Sequence, residues 1–231
     1  MKKVSKLSIL TFFLLIISLY MVFLYAPEEK VMGEIQRIFY FHVASAWLSL
    51  FAYTVTFISS ILYLIKKKRK FDIISQSSAE IGVFFTTFVL ISGPLWARPI
   101  WNTWWTWDPR LTSSLALWLM FMAYLILRAN IPDSPKKFQV ASVYAIIAYL
   151  DVPIVFFSIR WWRTIHPVVI TKKHINLDPQ MLQTLIVSTI TFTLLYIILL
   201  REDLKIKNLN LKLEKLSNEV EEILEKKELE E

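Results

Sequence analysis

Apolar runs of about twenty residues recur along the chain, the length a helix needs to cross a hydrocarbon core of roughly 30 Å. Six are read, at Leu7 to Tyr25, Ile38 to Ile65, Ala79 to Ala97, Thr112 to Leu127, Phe138 to Ile159 and Met181 to Leu200. They predict an all-α, polytopic membrane bundle occupying residues 1–200. The second run is longer than a bilayer requires and is expected to tilt or protrude. Within it His42, Ser45, Ser49, Tyr53, Thr56 and Ser60 recur at helical spacing, a polar stripe that belongs against other helices rather than lipid. After Leu200 the pattern changes. Leu209, Leu213, Leu216, Val220 and Ile223 alternate in steps of four and three among charged residues, so 201–231 reads as an amphipathic helix or short coiled coil.

Composition supports the membrane class, with 55% hydrophobic residues in a chain of 231. The first run follows Lys2, Lys3 and Lys6 but is too long, and too poor in small residues near Ala26, for a cleaved signal peptide; it is read as a retained span. Basic residues set the orientation. Lys2, Lys3, Lys6, the run Lys66 to Lys70, Arg128, Lys136 and Lys137 fall on one side, which is therefore cytoplasmic, and both termini lie there. The net charge of +7 is accounted for by these flanks, so nucleic acid is not an expected partner. The absence of cysteine excludes disulfides, thiolate metal sites and covalent heme attachment by this chain. Three glycines and no Gly-rich phosphate loop give no ATPase signature, and an enzyme is not expected.

Chemistry concentrates on the opposite side, in the segment near 96–112 and after the fifth span. Seven of the nine tryptophans lie there: Trp96, Trp101, Trp104, Trp105, Trp107, Trp161 and Trp162. An interfacial aromatic belt is one reading, but a belt decorates both interfaces, and this cluster is one-sided. Asp108 followed by Pro109 fits the start of the fourth helix. Capping leaves four tryptophans in residues 101–107 unexplained, because such rings must cover something flat. A porphyrin has a flat face for indoles, an iron that takes imidazole, and carboxylates that take Arg or Lys. His42 and His166 fall on one membrane side and are candidate axial ligands, although a buried, hydrogen-bonded His42 and a solvated His166 are the plainer alternatives. Arg98, Arg110, Arg160 and Arg163 are on the correct side for carboxylates, and His174 beside Lys172 and Lys173 reads as an ordinary surface residue. Asp151, two residues before Pro153 within the fifth span, is costly there unless paired or functional.

Three stretches carry a family resemblance: Trp104 to Thr112 (WWTWDPRLT), Phe39 to Trp47 (FYFHVASAW) and Pro153 to His166 (PIVFFSIRWWRTIH). The first resembles the WWD signature of heme-handling proteins, and the three together, in this order, resemble the CcmC family over roughly residues 5–200. The resemblance implies that His42 and His166 are axial ligands. It further implies that Trp101, Trp104, Trp105, Trp107, Asp108 and Arg110 form a heme platform, with Arg98, Asp151, Trp161, Trp162 and Arg163 as further heme-side residues. Heme b would be cargo, received at the outer face of a bacterial inner membrane and passed to a CcmE-like chaperone for c-type cytochrome biogenesis. CcmA, CcmB and CcmD-like partners would form the complex and supply ATP hydrolysis. Asn102 departs from the glycine common at that point of the family pattern, and the tail lies outside the resemblance. Two alternatives remain open from sequence: a cytochrome b-like electron-transfer subunit with resident heme, and a heme-free scaffold or transporter.

Overall fold

A computed structural model describes residues 5–162, 164, 166 and 177–228, and among these no strand forms. Seven α-helices are described: α1 Lys6–Tyr20, α2 Ile38–Lys66, α3 Arg69–Trp101, α4 Pro109–Asn130, α5 Pro135–Tyr149, α6 Asp151–Trp161 and α7 Pro179–Glu228. A π turn over Met21–Tyr25 prolongs α1, and a 3-10 turn over Glu34–Arg37 leads into α2. Six stretches are long and apolar enough to cross a membrane, with α5 and α6 together making the fifth.

Local chemistry fixes the helix ends. Ser5, Asp108 and Ser134 cap α1, α4 and α5 by accepting main-chain N–H groups, and Pro109 and Pro135 stand where a missing N–H costs nothing. The fifth span breaks at Leu150 because Pro153 has no N–H for the carbonyl of Tyr149, four residues back. Lys67 and Asn102 end α2 and α3 in the left-handed region. Asparagine tolerates that conformation better than most side-chain-bearing residues, so Asn102 makes the turn that glycine would have made.

The spans are longer than hydropathy predicted. The third begins at Arg69, not Ala79, and ends at Trp101, not Ala97. Asp72, Gln76 and Glu80 lowered the apolar signal, yet Asp72 is fully buried: Arg128 reaches it through two nitrogens at 2.6 and 2.8 Å, and Arg69 also pairs with it. Gln76 accepts from Arg128 at 2.8 Å, and Asp133 accepts from Lys137 at 2.7 Å, so α3, α4 and α5 are tied at one end. The sixth span and the tail share one helix, since α7 runs unbroken through Glu228.

Between the ends, hydroxyls satisfy one another across helices: Tyr53 to Thr86 at 2.9 Å, Ser60 to Ser75 at 2.8 Å and Ser78 to Tyr196 at 2.7 Å. The α2 stripe from His42 to Ser60 is buried along its length, as its spacing required. Tyr53 stacks on Phe121 at 3.8 Å, and its ring stands so close to Gly82 that a Cβ there would lie 2.6 Å away.

Candidate heme site

His42 sits in the second turn of α2 and is buried. Its Nδ1 lies 2.9 Å from the Ser92 hydroxyl on α3. The same hydroxyl lies 2.8 Å from the Phe88 carbonyl, which can only accept. With Ser92 donating there, Nδ1 carries the imidazole proton and Nε2 keeps the lone pair that an iron would take. The opposing helix comes close at this point: a Cβ on Gly93 would meet His42 Cε1 at 3.4 Å. Pro94 and Pro99, one and six residues further on, interrupt the hydrogen-bond ladder of α3 in the stretch that carries Trp96 and Trp101.

A cavity that opens to solvent lies beside His42. His42, Trp96, Trp101, Trp105, Arg110 and His166 all line it. The two histidines, 124 positions apart in sequence, thus share one space. Trp96 tilts against His42 at 6.1 Å and against Trp101 at 5.8 Å. The indole N–H groups of Trp96 and Trp105 are buried and meet no acceptor among the described residues, nor does the Thr106 hydroxyl. Such orphan donors on a cavity wall suit the carboxylates of a ligand. Arg110 reaches the Val155 carbonyl at 3.3 Å, which holds its guanidinium against α6.

Other sequence candidates stand apart from the cavity wall. Trp104 and Trp107 are 56% and 76% exposed, forming a ledge outside it, with Arg98 over the Trp104 ring at 5.9 Å. Arg98 also donates to the Asn102 carbonyl at 2.9 Å. Asp108 accepts from the Arg110 N–H at 2.9 Å as the α4 cap. Trp161 and Trp162 are exposed at the end of α6, where Trp161 stacks on Phe157 at 5.3 Å. Asp151 opens α6 at the break in the fifth span, with one carboxylate oxygen lacking a partner among the described residues. Arg163, Lys172, Lys173 and His174 lie outside the described residues. Sequence reading missed Ser92 and Gly93. For Gly93 a signal was present, because Val89, Gly93, Ala97 and Trp101 follow in steps of four on one face of α3, and all line the cavity.

Fold and site together define a multi-pass helical membrane protein with a histidine- and tryptophan-lined ligand cavity at one end of its bundle. The family model for Heme exporter protein C (CcmC) matches residues 1–219. Heme exporter protein C of Bradyrhizobium diazoefficiens is 37% identical over 191 residues, covering 82% of this chain and 72% of its own. Heme exporter protein C of Escherichia coli K12 is 30% identical over 203 residues, covering 88% and 82%. A cytochrome c biosynthesis ccmC-like mitochondrial protein of Marchantia polymorpha is 39% identical over 154 residues, covering 67% and 65%. The chain belongs to the CcmC family.

Proposed function

We propose that this chain receives heme b between His42 and His166 and passes it on for c-type cytochrome biogenesis. The observation that carries the reading is that His42 and His166 line one cavity, with His42 Nδ1 tied to the Ser92 hydroxyl at 2.9 Å so that Nε2 remains for a metal. Heme supplies a ferric or ferrous iron for the two imidazoles and a flat face for Trp101 and Trp105. Its propionates match the Arg110 guanidinium and the unpartnered N–H groups of Trp96 and Trp105. Trp104 and Trp107 form the exposed rim with Arg98 over the Trp104 ring, while Trp161, Trp162 and Arg163 join the heme side by the family resemblance. Asp108 acts through Arg110 by starting the helix that presents it. Asp151 serves at the hinge of the fifth span.

The excess of Lys and Arg around Lys66 to Lys70 and at Arg128, Lys136 and Lys137 supports placing those ends and both termini in the cytoplasm of a bacterial inner membrane. The cavity then faces outward, where a CcmE-like chaperone collects the cargo, with CcmA, CcmB and CcmD-like proteins as complex partners. An exposed rim favours departure, since residence time is set by what must be broken on leaving. A resident electron-transfer heme has less support, because His42 is the only histidine within a described helix.

The test uses purified full-length protein loaded with hemin and mixed with a heme-free CcmE-type chaperone. Wild type should bind heme and give it up to the chaperone, and His42→Ala and His166→Ala should each lose most of the bound heme. Equal binding and transfer by all three would overturn the reading. A Thr103→Cys variant should react with an impermeant thiol reagent in intact cells, while labelling only after lysis would reverse the orientation.

A further inference from the structure

The part of α7 beyond the bundle carries an uncovered apolar seam. Ile206, Leu209, Leu213, Leu216, Val220 and Ile223 follow in steps of three and four, and each is at least half exposed. Isoleucine or valine at the first and third a positions, with leucine at the first two d positions, is the pattern of a two-stranded coiled coil.

The bundle shows where this seam points. In α7, Ser188 meets Ser18 of α1 at 3.0 Å, and Thr191 reaches the Leu14 carbonyl of α1 at 3.5 Å. Eighteen residues make five complete helical turns, so Ile206 and Leu209 lie below Ser188 and Thr191 on the same face of the helix. α1 runs antiparallel to α7 and starts at Lys6, a little over two turns before Leu14, so its cover ends near Leu199 or Leu200. The seam is therefore the continuation of the α1-facing side of α7 past the point where α1 stops.

This geometry rules out a second copy as a parallel partner. A parallel tail in the seam would place the copy's own α7 in the position that α1 already fills within the membrane, and an antiparallel tail would place the copy's bundle in water. Charge identifies the remaining occupant. Lys205, Lys212, Glu219 and Lys226 each stand one residue before an a position and so flank the seam on one side, Asn210, Ser217 and Leu224 flank it on the other, and Glu221, Glu222 and Glu225 face away. Lys207 is further held by Glu80 and Ser77 of α3, which fixes the first turn of the tail to the bundle.

We propose that the seam docks an amphipathic helix of a partner outside the bilayer, acidic opposite Lys205, Lys212 and Lys226 and basic opposite Glu219. The side of the membrane rests on the orientation given above; the docking surface does not.

The probe is a fluorescent three-heptad peptide with Ile at a and Leu at d. It carries glutamates opposite Lys205, Lys212 and Lys226 and a lysine opposite Glu219. Full-length protein in detergent should bind it saturably, and Leu209→Gln with Leu216→Gln should weaken binding by at least about tenfold, as truncating central interface anchors does. A charge-reversed peptide should also bind more weakly. Equal binding by wild type and the double variant would overturn the proposal. So would efficient Leu213→Cys disulfide dimers in this otherwise cysteine-free chain, because a second copy would then fill the seam. Heme content of the same samples should be unchanged by the tail substitutions, so failure of the heme reading and failure of the docking reading are seen separately.

Discussion

At the Asp72 end of the bundle, Arg128 spends its terminal nitrogens on Asp72 and Gln76, Arg69 bridges Asp72 and Asp133, and Lys137 closes on Asp133. At the His42 end, the indole N–H groups of Trp96 and Trp105 and the Thr106 hydroxyl are buried without such closure among the described residues. Both ends bury polar groups at a cost of the same kind. One set is closed by ion pairs that tie helices together, with Arg128 Nε alone left without a partner among the described residues; the other has three buried donors without one, on two tryptophans that line the cavity and on Thr106 beside them. The first arrangement serves the fold, and the second leaves donors unspent where a ligand is proposed to bind.

The largest break in this comparison comes from the closed end. Arg128→Leu leaves the fully buried Asp72 with Arg69 alone, and is expected to cost about 3–5 kcal/mol, the range for removing one partner of a buried pair. Thermal unfolding in detergent should show a large drop, and Asp72→Asn added to Arg128→Leu should recover part of it. Ser92→Ala comes next and acts on the open end. Losing the hydroxyl that meets His42 Nδ1 should weaken heme affinity by roughly 10–100-fold, the usual effect of removing a partner of a metal-binding histidine. Hemin titration reads that change. Ser92→Thr should restore affinity, because it keeps the acceptor hydroxyl.

Trp107→Ala sharpens the contrast. The ring is 76% exposed, so its loss should move the unfolding midpoint little while increasing the rate at which heme leaves, as stopped-flow transfer to an acceptor would report. The smallest effect is expected from Lys137→Met. Its partner Asp133 has a half-exposed side chain, and such pairs contribute about 0–1 kcal/mol. A loss near that of Arg128→Leu would show that the network acts as a unit rather than through its buried pair.

Much of this was legible in the sequence. The six spans follow from hydropathy, the stripe from His42 to Ser60 from helical spacing, and the grouping of His42, Trp101, Trp105, Arg110 and His166 from loop side and family resemblance. What was not legible depended on tertiary pairing. Asp72 and Arg128 are 56 positions apart, and a polar first turn of α3 reads as a loop until its partner is known. Ser92 looked like any small residue in an apolar helix, because its role exists only through His42 on α2. The split of the fifth span was foreshadowed by Pro153 but required knowing that the freed carbonyl of Tyr149 would end a helix. The unbroken run of α7 through the charged tail was hidden for the opposite reason, since a change in composition there marks the membrane boundary and not a change in backbone.

The central claim is that His42 and His166 hold one iron. The direct measurement is the optical and electron paramagnetic resonance spectrum of ferric heme bound to full-length protein, compared with His42→Ala and His166→Ala. The account predicts a low-spin, bis-imidazole signal in wild type, converted in each variant to a high-spin or exogenous-ligand form that added imidazole returns to low spin. A low-spin signal unchanged in both variants would contradict it.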